Sequence, residues 1–326
     1  MRQQNINETG MVRTVTGDCS PEALCHCQCH EHVLIAKGKP FEINPALYMD
    51  DEAASLAELL LYKSAGGGAL VDAEPAGAGG MPRELMHISE QSGIRIVAST
   101  GFHKLVFYPA AHWITSSDAD TLAQCFIADL TEGLATDADT GFPKDRCSAR
   151  AGVIKCALDR HGLDAVYKRL FKAAAQAALK TGAPLLVHTE DGARALSLIS
   201  YISDFGIPPG RMMICHTERS VRSFEEKLEI AKTGVYLECD TIARQKYHSD
   251  EDEVLFIQHL CDAGYEDRIL LGLDTTRQRL KSYGGETGLD YILKIFLPLL
   301  RKSGFNREQL DKFCSANPAA ALAFSF

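Results

Sequence analysis

The sequence predicts an α/β fold, a (β/α)8 TIM barrel, and three observations carry that expectation. Short β-prone apolar runs alternate with longer amphipathic segments through the chain. Eight such runs can be counted, each ending in polar or glycine-rich residues. The 326 residues contain no low-complexity linker or break in composition, and single barrels occupy about 250 residues or more. One domain over 1–326 is therefore expected, with 1–24 as an N-terminal hairpin edge. A doubly wound open sheet is the alternative fold.

Val12-Arg13-Thr14-Val15-Thr16-Gly17-Asp18 alternates and closes on a Gly-Asp turn signal, which predicts a short hairpin. The first barrel strand then carries Cys29-His30-Glu31-His32. Seven further runs follow: Ala69–Ala73, Ile94–Ser99, Gly152–Lys155, Pro184–His188, Met212–His216, Val235–Cys239 and Ile269–Asp274. Helix-period apolar stripes lie at Ala53–Ala65, Leu163–Lys180, Phe224–Thr233 and Glu251–Ala263, several of them ending at glycine. The longest strand-free interval, 103–149, is expected to form an excursion over the catalytic face.

The net charge of -9 argues against a surface built to grip nucleic acid, and no basic track with stacking aromatics is evident. No apolar run reaches the ~20 residues that cross a bilayer, and Met1-Arg2-Gln3-Gln4-Asn5 lacks a signal-like apolar core, so a cytoplasmic location away from membranes is expected. Without a secretory signal the Asn7-Glu8-Thr9 triplet is an empty glycosylation motif. Eleven scattered cysteines suit reduced, buried thiols rather than a disulfide framework.

In a barrel, functional groups sit at the carboxyl ends of the strands. There the sequence puts His30 and His32 on the first strand, Lys155 on the fourth, His188 on the fifth, His216 on the sixth and Asp274 on the eighth. Strand alternation sends His30 and His32 to one face, and Cys25, Cys27 and Cys29 to the other, which speaks against a shared Cys/His site. Each group has a structural alternative: a hydrogen-bonded barrel histidine, an N-cap for Asp274, a salt bridge for Lys155. Together they form a rim of metal-ligand types. A lysine ammonium cannot ligate a metal, but a neutral Lys155 amine that takes up carbon dioxide becomes a carbamate with two ligating oxygens.

Thr14-Val15-Thr16-Gly17-Asp18, His30-Glu31-His32, Gly152-Val153-Ile154-Lys155, Val187-His188-Thr189, Ile214-Cys215-His216-Thr217-Glu218-Arg219 and Leu271-Gly272-Leu273-Asp274, in that order, resemble the phosphotriesterase family of the amidohydrolase superfamily. The resemblance implies a binuclear centre, with His30, His32 and Asp274 on one divalent ion, His188 and His216 on the other, and carboxylated Lys155 bridging them. Zinc suits these ligands, as do manganese, cobalt and iron. Such ions about 3.5 to 4 Å apart activate a shared water as hydroxide. Asp274 would be the catalytic proton carrier.

Ala98–Lys104, Asp240–Asp250 and Asp274–Lys281 look like the phosphorylated sugar lactonases within that family. That likeness implies furanose lactone phosphates as small-molecule substrates, and a homodimer. Loops after strands seven and eight often bind phosphate in barrels; here they carry Arg244, Lys246 and Tyr247, then Arg277, Arg279 and Lys281. Lys104, after the third strand, is a further candidate. Hydrolysis of apolar lactones or phosphotriesters at the same centre is a second possibility, and a metal-binding scaffold without turnover a third.

Overall fold

A computed structural model describes residues 10–75, 77–190, 194–220 and 223–325. The Asn7-Glu8-Thr9 triplet lies outside them. Strands β1 (Val12–Thr14) and β2 (Gly17–Cys19) form the expected antiparallel hairpin. The barrel strands are β3 (His26–Glu31), β4 (Gly67–Asp72), β5 (Arg95–Gly101), β6 (Val153–Leu158), β7 (Leu185–Thr189), β8 (Met212–Cys215), β9 (Tyr236–Cys239) and β10 (Ile269–Leu271). These eight are ordered as in the chain and every neighbouring pair is parallel. Asp274 closes the ring, its amide donating to the His30 carbonyl at 2.9 Å. That closure brings backbones together at Gly272, where a Cβ would stand 3.1 Å from His30.

Side chains alternate between two apolar layers. Val71, Val97, Val153, Leu186, Met213 and Leu270 pack in one buried cluster inside the strands. Their neighbours Leu70, Ile96, Ile154, Leu185, Ile214, Leu237 and Ile269 pack outward against helix residues such as Leu59, Phe126, Phe171 and Ile257. Each fully buried aliphatic of this kind contributes about 1.5 to 3 kcal/mol. The surrounding helices start on side-chain caps: Asp51 for Glu52–Ser64, Asp118 for Ala119–Thr131, Asp164 for Ala165–Thr181, Ser223 for Phe224–Lys232, and a Ser249/Asp252 capping box for Asp250–Asp262. No helix among the described residues is long and apolar enough to cross a membrane.

Three expectations are corrected. Interval 103–149 is not mainly an excursion: Leu122, Phe126 and Leu130 bury one face of Ala119–Thr131, which packs as a barrel helix, and only the stretch around Lys104–Phe107 reaches the catalytic mouth. Lys155 lies within β6, which runs on to Leu158, rather than at its end. The parity argument for the first strand fails because β3 is irregular: Gln28 and Glu31 pair with Leu70 and Asp72, so three steps on β3 span two on β4. Cys27 and Cys29 therefore join the interior cluster beneath the histidines, while Glu31 turns outward to accept from the Leu273 amide at 2.8 Å.

Candidate active site

The strand ends deliver their ligand-type side chains to one buried cluster. Lys155 is fully buried, its Nζ 3.1 Å from His30 Nε2. His30 Nε2 and His32 Nε2 stand 3.8 and 3.5 Å from Asp274 Oδ1. His216 Nε2 lies 2.7 Å from His188 Nδ1, and the His30 and His216 ring centroids are 5.0 Å apart. His216 and Asp274 sit just beyond their strands with φ of 65° and 48°, a left-handed conformation costing of order 1 to 3 kcal/mol outside glycine. Hydrogen bonds hold them there: the His216 amide donates to Asp240 at 3.1 Å, and the Asp274 amide closes the barrel.

Carboxylates behind the rings decide which nitrogen faces the cluster. His30 Nδ1 lies 2.9 Å from Glu238 and 3.2 Å from Asp240. His216 Nδ1 lies 2.7 Å from Asp240, and His32 Nδ1 3.0 Å from Glu74. A carboxylate on one imidazole nitrogen holds the proton there and presents the other lone pair, the usual support of a metal-ligating histidine. His188 Nε2 is buried with no hydrogen-bond partner among the described residues. These donors fit divalent ions. Cys215 also lies within ligating range of His30, Glu238 and Asp240, as part of the floor under the cluster.

Asp274 sits between two histidines and two arginines. Its Oδ2 lies 3.2 Å from Arg244 and 3.3 Å from Arg219. Burial would raise its pKa, but the Arg244 charge and the His32 hydrogen bond outweigh that and hold it well below the carboxylate range.

Above the cluster opens a cavity of about 280 Å³. One wall is apolar, made by Pro40, Ile43, Leu47 and Phe107; the opposite rim carries Arg219, Arg244, Lys246 and Tyr247. Lys104 also lines it, its ammonium 2.5 Å from Glu190. Of the other cations singled out in the sequence, Arg277 is exposed behind Thr276, its guanidinium 5.6 Å from the Tyr283 ring. Arg279 is turned inward to donate to the Ile242 carbonyl at 2.7 Å and to Leu273. Lys281 is paired with buried Asp290 at 2.6 Å. None of Arg277, Arg279 and Lys281 lines the cavity.

Sequence reasoning passed over Glu74, Glu238, Asp240, Arg219 and His103. Glu74, Glu238 and Asp240 lie at or just past strand ends, the same signal that picked out the histidines. Arg219 and His103 follow their strands by only a few residues.

The sequence pattern of the Phosphotriesterase family matches residues 10–322. The chain belongs to the phosphotriesterase family. It is an enzyme of that family, a hydrolase. It is 32% identical over 323 residues to a protein of Mycoplasmopsis agalactiae named phospho-furanose lactonase, covering 96% of this chain and 91% of that one. A protein of the same name from Mycoplasmopsis synoviae is 30% identical over 327 residues, covering 97% and 93%. Among solved structures, a lactonase from Listeria monocytogenes superposes with a TM-score of 0.89 at 27% identity, covering 97% of this chain and all of that one. The phosphotriesterase barrel thus runs through nearly the whole chain, and its buried His and Asp groups fit the binuclear metal centre of the family.

Proposed function

We propose that this hydrolase opens the ring of phosphorylated furanose lactones. The observation that carries the reading is the cationic rim of Arg219, Arg244 and Lys246 above a His/Asp cluster, in a chain whose net charge is -9. The name shared by the two Mycoplasmopsis relatives points to the same substrate class. His30, His32, Lys155 as its carbamate, His188, His216 and Asp274 would hold two divalent ions, zinc or another ion suited to imidazole and carboxylate. Bound there, the ions would supply a hydroxide nucleophile at neutral pH and polarise the carbonyl.

The chain's own groups do the rest. Asp274 takes the proton released as the nucleophile attacks and returns it to the ring oxygen as the alkoxide leaves. Arg219 and Arg244 orient that carboxylate through its second oxygen. Lys246 and Arg244 meet the phosphate, with the Tyr247 ring 4.7 Å under the Lys246 ammonium. Phe107, Ile43 and Leu47 offer the apolar wall for the sugar ring and exclude water from that side. The test is to compare hydrolysis of a furanose lactone with and without its terminal phosphate. A large preference for the phosphorylated form is expected, and equal turnover would remove the phosphate assignment.

A further inference from the structure

Behind the rim loop, away from the binuclear ligands, three side chains converge from separate elements: Glu218 after β8, His248 at the end of the loop following β9, and Glu253 in the helix Asp250–Asp262. One ligating atom of each lies within 4.8 Å of the others. Glu218 and Glu253 are buried, and His248 is nearly so.

The hydrogen bonds around them are unbalanced. Glu218 Oε1 accepts from the Asp240 amide at 3.2 Å and from the Thr241 hydroxyl. Its Oε2 has no partner among the described residues, and neither has either carboxylate oxygen of Glu253. His248 Nδ1 lies 3.0 Å from the Ser249 carbonyl, an acceptor, so Nδ1 carries a proton. The neutral ring then turns its Nε2 lone pair toward Glu253 Oε2, 3.1 Å away, and toward the Thr241 hydroxyl oxygen, 3.0 Å away, whose own proton goes to Glu218. Two lone pairs facing each other in a dry site repel unless a positive species lies between them.

A proton on Nε2 would satisfy one oxygen of Glu253. It would leave Glu218 Oε2 and Glu253 Oε1 bare and, with both carboxyls ionised, the group one negative charge in excess. The nearest ammonium does not fill that gap: Lys227 donates to the Glu218 backbone carbonyl at 3.3 Å and lies over the Phe256 ring. A dication balances two carboxylates and a neutral imidazole and gives every bare atom a partner.

We propose that Glu218, His248 and Glu253 form an additional, mononuclear site for a divalent transition-metal ion. One imidazole with two carboxylates suits zinc or manganese better than calcium or magnesium, which take oxygen ligands alone. The site's role is to staple the rim loop. Arg244, Lys246 and Tyr247 lie between Thr241 and His248, and a cation here ties the far end of that loop to the helix beginning at Asp250 and to the segment that carries Arg219. Its ligands are separate from the six that hold the binuclear centre, so the two can be tested apart.

Wild type, Glu253→Gln and His248→Gln protein are each saturated with zinc chloride and freed of loose ion by gel filtration. Zinc per chain is then measured by plasma mass spectrometry, with circular dichroism as the control for folding. Each variant is expected to hold one zinc per chain fewer than wild type. Equal zinc content in all three proteins would overturn the proposal and leave the cluster to a proton. Should a variant fail to fold, calorimetric titration of chelator-stripped wild type with zinc decides: three sites per chain support the proposal, two overturn it.

Discussion

Arg244 reaches Asp274 twice, its guanidinium 3.2 Å from the carboxylate and also donating to the backbone carbonyl of the same residue. The loop after β9 is thereby fastened to the carboxylate that moves the proton in the proposed reaction. In that reaction, phosphate binding at the rim and proton transfer at the floor would share this one arginine.

Asp274→Asn keeps the shape of the side chain and removes its capacity to accept a proton. Loss of a positioned general base costs about 10² to 10⁴ in rate. Lactone hydrolysis by the variant is expected to fall by at least about 10²-fold, with circular dichroism unchanged. Steady-state assay of the metal-loaded protein checks it.

Lys246→Ala removes an exposed cation that has no acidic partner among the described residues. A charge-assisted hydrogen bond contributes about 1.5 to 3 kcal/mol, or roughly tenfold to a hundredfold in affinity. KM for the phosphorylated lactone is expected to rise by about that factor, while the lactone without phosphate is hydrolysed as before. The same experiment on Lys281→Ala, whose ammonium is held by Asp290, should change neither constant.

Gly101 in β5 has φ of 102°, and a Cβ added there would stand 2.0 Å from the Lys155 carbonyl oxygen. Gly101→Ala must therefore push β6 away at the register where Lys155 pairs with Gly101. We expect a lower melting temperature together with loss of bound metal. An unchanged metal content would show that Lys155 tolerates the shift.

Asp18 joins the hairpin to the barrel, bonding buried Arg13 through both oxygens at 2.8 and 2.9 Å and Arg150 at 3.1 Å. Burial pushes its pKa up, but the Arg13 hydrogen bonds and charge, helped by Arg150, carry it below the ordinary 3.8. A carboxyl with a depressed folded-state pKa adds stability that is complete above the unfolded value and is lost as pH falls through the folded one. Asp18→Asn should thus lower the melting temperature at pH 7. The gap between variant and wild type should narrow as pH falls below the unfolded value and close once the folded carboxyl is protonated, as thermal unfolding at several pH values would reveal.

Much of this was legible in the sequence because strand-end chemistry is periodic. Alternating runs gave the order of the eight barrel strands, and the histidines at their ends marked where the cluster forms. Strand lengths were less legible. The run Ile269–Asp274 predicts a strand reaching Asp274, whereas β10 stops at Leu271 and Asp274 lies beyond it in a left-handed conformation. Arg279 and Lys281 look like phosphate ligands by composition alone. Only the fold reveals that carbonyls of Ile242 and Leu273 claim one, and Asp290 the other. The carboxylates behind the rings, Glu74, Glu238 and Asp240, stand at strand ends as the histidines do, but a Glu or Asp there reads equally as a solvated loop residue until the fold shows it buried.

The extra residue in β3 has a toxicological side. By turning Cys29 and His30 inward in succession, it sets Cys27 and Cys29 in the same buried cluster as Cys215 of β8, a stratum of sulfur below the imidazoles. A thiophilic ion such as cadmium that sank one layer deeper would be trapped by thiolates, out of reach of any substrate. Slow, chelator-resistant inactivation by cadmium, relieved in Cys215→Ala protein, is the behaviour such a floor imposes, and prompt reversal by chelator in wild type would argue that the sulfur layer is never reached.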